Sequence, residues 1–158
     1  MSSRIVRIRG AGGPDVLHLE TQEVPDPGPG QVRLRVCAAG VAFGDVMRRR
    51  GMLAPKWAFT PGYDVVGTVD ATGPGVSLTG RVAAMMPNTG FGAHADHVVV
   101  PADRCAAVPD ALDNVTAIAL GLNYITAWQL LHRFSPPPPG GRILVHGAAG
   151  GVGTAVLD

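Results

Sequence analysis

The clearest pattern along the chain is at residues 31–36, where Val32, Leu34 and Val36 alternate with Arg33 and Arg35. That is the period of a strand with one packed and one wetted face. Similar short runs at residues 3–9, 16–24, 63–72, 81–86 and 94–100 predict further strands. Turn residues punctuate them: Gly10 to Pro14, Pro25 to Gly30, Thr60-Pro61-Gly62, Gly73-Pro74-Gly75, Gly90-Phe91-Gly92 and Pro101. Many short strands at turn-punctuated spacing predict a β-barrel-like unit over the first ~110 residues.

Two stretches break this rhythm. Residues 43–50 read as a short helix with Phe43, Val46 and Met47 on its packed face, Arg48, Arg49 and Arg50 in its last turn and Gly51 as its stop. A solvated helix end accounts for the three arginines more simply than a phosphate site does. After residue 110 the period becomes helical. Asp113 caps a helix whose buried side is expected to be Val115, Ile118 and Ala119, Gly121 interrupts it, and Ile125, Trp128 and Leu131 share a face of the next helical run. Pro136 to Pro139 and Gly140-Gly141 form a stiff linker and mark the best domain boundary.

Beyond that boundary, Ile143, Leu144 and Val145 read as a buried parallel strand running into Ala148-x-Gly150-x-x-Gly153. This is the dinucleotide-binding pattern with alanine at its first glycine. It needs small residues for a tight turn, for close approach of a pyrophosphate and for packing of the next helix. The chain stops at Asp158, at most two turns into that helix, and the charged residue expected about 20 positions on, which would meet the adenosine ribose, is absent. The expectation is therefore the opening of an incomplete nucleotide domain.

Composition narrows the function classes. Net charge is +1 and charged residues make up 16% of the 158, so no strong field points to nucleic acid. No apolar run approaches the ~18 residues of a membrane span, and the N-terminus has no signal-peptide core. Cys37 and Cys105 give no disulfide framework, so a cytoplasmic, reduced protein is expected. Cys37, at a strand end, reads as packing. His94, Asp96 and His97 resemble a metal cluster, but on a strand His94 and Asp96 share one face and His97 the other. No Gly-x-Ser-x-Gly elbow supports serine hydrolysis.

Five motifs occur in a set order: Gly12-Gly-Pro-Asp-Val-Leu17, Gly40-Val-Ala-Phe-Gly-Asp45, Pro61-Gly-Tyr-Asp-Val-Val-Gly67, Asn123-Tyr-Ile-Thr-Ala127 and Val145-His-Gly-Ala-Ala-Gly-Gly-Val-Gly153. Together they resemble the medium-chain dehydrogenase/reductase superfamily, and within it the zinc-free quinone oxidoreductase (zeta-crystallin-like) group, over essentially the whole chain. The resemblance implies a mostly β fold with α. Residues 1–135 would be a GroES-like β-barrel substrate domain with a helical bridge. Residues 136–158 would be the first strand and glycine loop of a truncated Rossmann domain. Zinc-dependent relatives place ligands where this chain has Ala42, Tyr63 and Leu122. None of these is a Cys, His or carboxylate, so no zinc is expected. The relatives' structural zinc loop would fall at Pro87-Asn-Thr-Gly90, which has no ligand set.

Without a metal to polarise a carbonyl, hydride delivery to an electron-poor quinone or α,β-unsaturated carbonyl is the chemistry implied. NADPH is the expected cofactor, with NADH not excluded. By resemblance Thr126 would sit near the nicotinamide, and Ala149, Gly150, Gly151, Val152 and Gly153 at the pyrophosphate. Ala42 replaces an asparagine common in these reductases and removes one cofactor hydrogen bond. Phe43 and Tyr63 would wall the substrate pocket, with no catalytic side chain assigned. The bland readings are ordinary core for Phe43, a structural phenol for Tyr63, back-bonding within its helix for Thr126 and surface or capping for Asp45. A homodimer, or a partner chain supplying the rest of the coenzyme domain, would complete the site. The alternative is a non-catalytic GroES-like module or a truncated gene product that binds no cofactor.

Overall fold

Nine strand residues, Gln31–Ala39, form β3, and the alternation read from the sequence sets its packing. Val32 and Leu34 are fully buried while Arg35 faces solvent. The computed structural model describes residues 1–53, 57–86 and 92–158. The Pro87-Asn-Thr-Gly90 stretch and most of the Gly90-Phe91-Gly92 turn lie outside the described residues. β3 is the second strand of a five-stranded antiparallel sheet. Its neighbours are β4 (Asp64–Thr72) and β6 (His97–Pro101), and β5 (Arg81–Met85) and β7 (Cys105–Ala107) continue from β4. The β3–β4 register shifts twice, between Arg33 and Leu34 and between Val36 and Ala38, which bends the pair. Pro101, which cannot donate to a ladder, ends an edge strand.

The N-terminal hairpin of β1 (Ser2–Ile8) and β2 (Leu17–Glu23) is a separate two-stranded sheet. It is pinned to the segments that precede β6 and β4 by isolated bridges from Ile5 to Ala95 and from Ile8 to Phe59. The core gathers Val32, Leu34, Val65, Val82, Ala84, Met86, Ala93, Val98 and Val100. Ser3, which lies among buried residues, hydrogen-bonds the His97 N–H and so ties the hairpin to β6.

The helices depart from the expected faces. Helix α1 (Phe43–Arg49) buries Asp45 and Arg49, while Phe43 is 71% exposed. Directional bonds decide this orientation. Asp45 accepts backbone N–H groups from Ala42 and Gly62, and Arg49 donates to the Gly12 carbonyl at 2.6 Å. An apolar stripe carries no information about such bonds. Helix α2 (Asn114–Ala119) is capped by Asp113 as expected, with N–H groups of Val115 and Thr116 on its carboxylate. Its buried residue, however, is Ala117; Ile118 is half-buried, and Val115 and Ala119 are exposed. On α3 (Ile125–Gln129) Ala127 is buried, and Ile125 and Trp128 are exposed. Small side chains on the inward face let both helices approach closely, which an apolar count undervalues. Arg33 differs too: it ion-pairs with Asp70 at 2.8 Å and Asp26 at 3.2 Å, so its face is not simply wet.

Gly121 breaks the helical run as expected, with φ −62° and ψ −105°, inside a wide-turn segment Leu120–Tyr124. Ile143, Leu144 and Val145, expected as a buried strand, carry no ladder hydrogen bonds because no strand lies beside them among the described residues, and Ile143 and Leu144 are exposed. The glycine turn after them and helix α4 (Gly151–Leu157) are formed. No helix among the described residues is long and apolar enough to cross a membrane.

If this core carries the stability, Leu34→Ala should cost about 2–5 kcal/mol. Leu19→Ala, at a position 77% exposed, should change stability by about 0.5 kcal/mol or less. Urea unfolding of the two variants tests this, and equal losses would place the core elsewhere.

Candidate functional site

The glycine turn has the local geometry its sequence demands. Gly147 has φ +69°, a conformation that disfavours any side chain. The Gly150 N–H closes the turn on the Gly147 carbonyl at 2.9 Å, and the Thr154 N–H opens α4 on the Gly150 carbonyl at 2.8 Å. A Cβ at Gly153 would stand 2.6 Å from the Ala148 Cα and closer still to the Gly147 oxygen. Glycine is therefore required there for the helix to pack on the turn. By helix geometry the N–H groups of Gly151, Val152 and Gly153 lack intrahelical acceptors. A cavity of about 460 Å³ lies beside the turn, lined in part by Leu130, Ser135, Leu144, Gly147, Gly150 and Gly153.

The bridge packs against this turn. Helix α3 and the Leu120–Tyr124 segment both contact α4. The Asn123 side chain lies over Gly151, where a Cβ would come within 2.5 Å of its Nδ2. Thr126 is on the same bridge, and its Oγ1 donates to the Leu122 carbonyl at 2.6 Å. Phe43 opens α1 elsewhere, and Tyr63 packs on the same helix at Gly44 and Arg48. The Tyr63 hydroxyl packs so closely on Gly44 that a Cβ there would lie 2.5 Å from it, and the Arg48 guanidinium sits 5.3 Å from the Tyr63 ring centre. Tyr63 is a packed residue with its own partners, while Phe43 projects outward, so neither is core in the ordinary sense.

Between these two groups stand Asp45 and Asp64, both almost fully buried. Asp45 accepts from the Ala42 N–H at 3.0 Å and the Gly62 N–H at 2.9 Å. Asp64 accepts from the Leu122 N–H at 3.0 Å, and the Gly40 N–H supports its charged form as well. Of the three positions that the resemblance sets beside zinc ligands, Ala42 and Leu122 give their N–H groups to these carboxylates, and Tyr63 precedes Asp64 in the chain. Sequence reasoning set Asp45 down as surface or capping; it caps but is buried. It passed over Asp64 and the role of Asn123. Their only signal was position, Asp64 beside Tyr63 and Asn123 beside the Gly121 break.

His94, Asp96 and His97 do not share a strand, because β6 begins at His97. His94 Nε2 meets the Gly40 carbonyl at 2.9 Å, Asp96 pairs with Arg4, and His97 faces Asp70 at 3.4 Å. Among the described residues no three His, Cys, Asp or Glu side chains gather as a metal site. Cys37 packs near Thr68 Oγ1 at 3.7 Å, and burial pushes the Cys105 thiol up, away from thiolate chemistry.

The model of the alcohol dehydrogenase GroES-like domain matches residues 28–110. The chain belongs to that family. Among its relatives, the synaptic vesicle membrane protein VAT-1 homolog of Rattus norvegicus is 40% identical over 159 residues, covering 98% of this chain and 39% of that protein. The 2-haloacrylate reductase of a Burkholderia species is 38% identical, covering 90% of this chain and 45% of that protein. The quinone oxidoreductase of Lama guanicoe is 35% identical, covering 98% and 48%. A mycobacterial structure in complex with NADPH superposes with a TM-score of 0.86 at 34% identity, covering 97% of this chain and 48% of that one. The chain is thus related to quinone and acrylate reductases of the medium-chain type and spans about half the length of the relatives it matches.

Burial raises the Asp64 carboxyl above the ordinary carboxylate range, and the Asp45 charge adds to the effect, against the lowering by the Leu122 and Gly40 N–H groups. The folded state therefore holds this proton more tightly than the unfolded chain. That contribution is fully present below the unfolded value and is lost as pH rises through the folded value. Asp96 and Asp113 shift downward, through the Arg4 hydrogen bond and the Thr116 N–H respectively. Their contributions are present above their unfolded values and are lost as pH falls through the folded ones. Asp64→Asn should remove the loss of stability that sets in as pH rises above the ordinary carboxylate value of about 4 and leave the acid side unchanged. Urea midpoints of both proteins over that rise in pH test it, and parallel curves would contradict it.

Proposed function

We propose that these residues form the substrate domain and the pyrophosphate-binding turn of a zinc-independent, NADPH-dependent reductase of quinones or α,β-unsaturated carbonyls. The division falls between residues 1–135 and 136–158. The observation that carries the reading is the glycine turn. Gly153 is there for want of space for a Cβ, and a helix start directs its free N–H groups at the place where a diphosphate would sit. The names of the Burkholderia and Lama guanicoe relatives supply the substrate classes, and the mycobacterial complex supplies the cofactor.

In this reading Ala149, Gly150, Gly151, Val152 and Gly153 hold the pyrophosphate, and the α3 turn bearing Thr126 faces the nicotinamide. When bound, NADPH supplies the hydride. Thr126 acts through position rather than by donating a free proton, because its hydroxyl is committed to Leu122. Phe43, exposed at the start of α1, offers an apolar wall for a flat acceptor, and Tyr63 supports that helix from beneath. Ala42, Tyr63 and Leu122 offer no Cys, His or carboxylate, so the reading needs no zinc. A quinone or enone is already electron-poor and requires alignment more than Lewis-acid activation. A cytoplasmic setting suits the two free thiols.

Titration of the ¹⁵N-labelled chain with NADPH, followed by NMR, tests this. The amide signals of Gly150, Gly151, Val152 and Gly153 should shift together and saturate. Gly153→Ala should abolish the shifts while leaving those of β3 and β4 in place. Unmoved signals at millimolar NADPH would falsify the assignment of the glycine turn and favour a non-catalytic module.

A further inference from the structure

Two carboxylates lie buried beside residues 40–43, and each joins separate pieces of chain. The Asp45 carboxylate ties Ala42 to Gly62, and Asp64 holds Leu122 through its carboxylate and Gly40 through its main-chain carbonyl, at 3.4 Å. Both glycines that meet Asp64 leave room only for it. A Cβ at Gly121 would stand 2.7 Å from Asp64 Oδ2, and one at Gly40 would stand 3.1 Å from its Cγ. Gly121 is also where the backbone leaves the helix, so the Leu122 N–H freed by that break is the one that Asp64 accepts.

A second buried carboxylate is a costly way to hold a kink, since well-packed apolar residues usually stabilise such a place as well or better. What the bond does is set direction. Leu122 precedes Asn123, and the Asn123 side chain lies across Gly151 at the start of α4. From the Asp64 carboxylate to the glycine turn there is one hydrogen bond, one peptide unit and one side-chain contact.

We propose that Asp64 is a positioning residue for the glycine turn: by holding the Leu122 N–H at the Gly121 break it sets Asn123 against Gly151, and so fixes how residues 151–153 are presented to a diphosphate. The proposal rests on the reading of that turn as the cofactor's pyrophosphate site. Asp64 touches no substrate or cofactor itself. It acts through Asn123.

The test uses the same NADPH titration, together with amide hydrogen exchange, on the parent chain, Asp64→Ala and Asp64→Asn. In Asp64→Ala the Leu122 amide should exchange about tenfold faster or more, as expected for loss of a charge-assisted bond. The amides of Val32, Leu34 and Val36 should keep their protection. NADPH should saturate the shifts of Gly151, Val152 and Gly153 only at about tenfold higher concentration. Asparagine keeps an oxygen for Leu122, so Asp64→Asn should fall between parent and alanine. If Asp64→Ala does not fold, Gly121→Ala disturbs the same bond from the other side with the carboxylate in place, and the same shifts are expected. Unchanged Leu122 exchange overturns the proposal. So does faster Leu122 exchange with an unchanged NADPH response, which would make the bond merely local. A parent chain that gives no NADPH response contradicts the cofactor reading first and this proposal with it, and that failure shows before any variant is made.

Discussion

A carboxylate held out of water at position 64 is the constraint on which the rest of the structure turns. Asp64 begins β4, the central strand of the five-stranded sheet, so its place is set by the packing of Val65 and Val66. Its side chain reaches away from that strand to the break at Gly121. The β domain and the helical bridge are therefore fixed to one another by a polar contact inside the molecule as well as by apolar packing of Ala117 and Ile118 beside Val65 and Ala84. The larger apolar side chains Ile125 and Trp128 of the bridge remain largely exposed, while the small Ala117 is buried on α2, the helix that meets β3 and β4. Unpaired buried charge is expensive, and the Leu122 N–H on the Asp64 carboxylate offsets part of that cost.

That polar joint gives the site its order. Asp45 and Asp64 together determine the course of residues 40–43, which lead into α1, Phe43 and the Tyr63 support. Through Leu122 and Asn123, Asp64 also meets the start of α4. The walls assigned to the acceptor and the turn assigned to the cofactor thus share a single anchor. For hydride transfer to an acceptor that needs no Lewis acid, relative placement of the two reactants is the main thing a protein can contribute.

Much of this was legible in the sequence, for identifiable reasons. Period-two alternation at Val32, Leu34 and Val36 gives β3 directly, Asp113 and Gly121 mark the start and break of the bridge, and glycine spacing marks the turn. The family followed from five short motifs, and the match over residues 28–110 shows it. The inward faces of the helices were not legible. Hydrophobic spacing favoured Phe43, Val115 and Trp128, yet hydrogen bonds to Asp45 and Arg49 and the small size of Ala117 and Ala127 decided which side turned in. The three-residue β7 is too short to leave a pattern. Asp64 was hidden because a single acid next to Tyr63 has no periodicity; only its partners, 58 residues away at Leu122, give it meaning.

The measurement that bears most directly on this account is ³¹P NMR of NADPH as the chain is added. The pyrophosphate signals are predicted to shift and broaden in the presence of the parent protein, and to do so much less with Gly153→Ala. Pyrophosphate signals that stay fixed, or a response confined to the 2′-phosphate, would contradict the claim that the turn at residues 150–153 receives the cofactor's diphosphate.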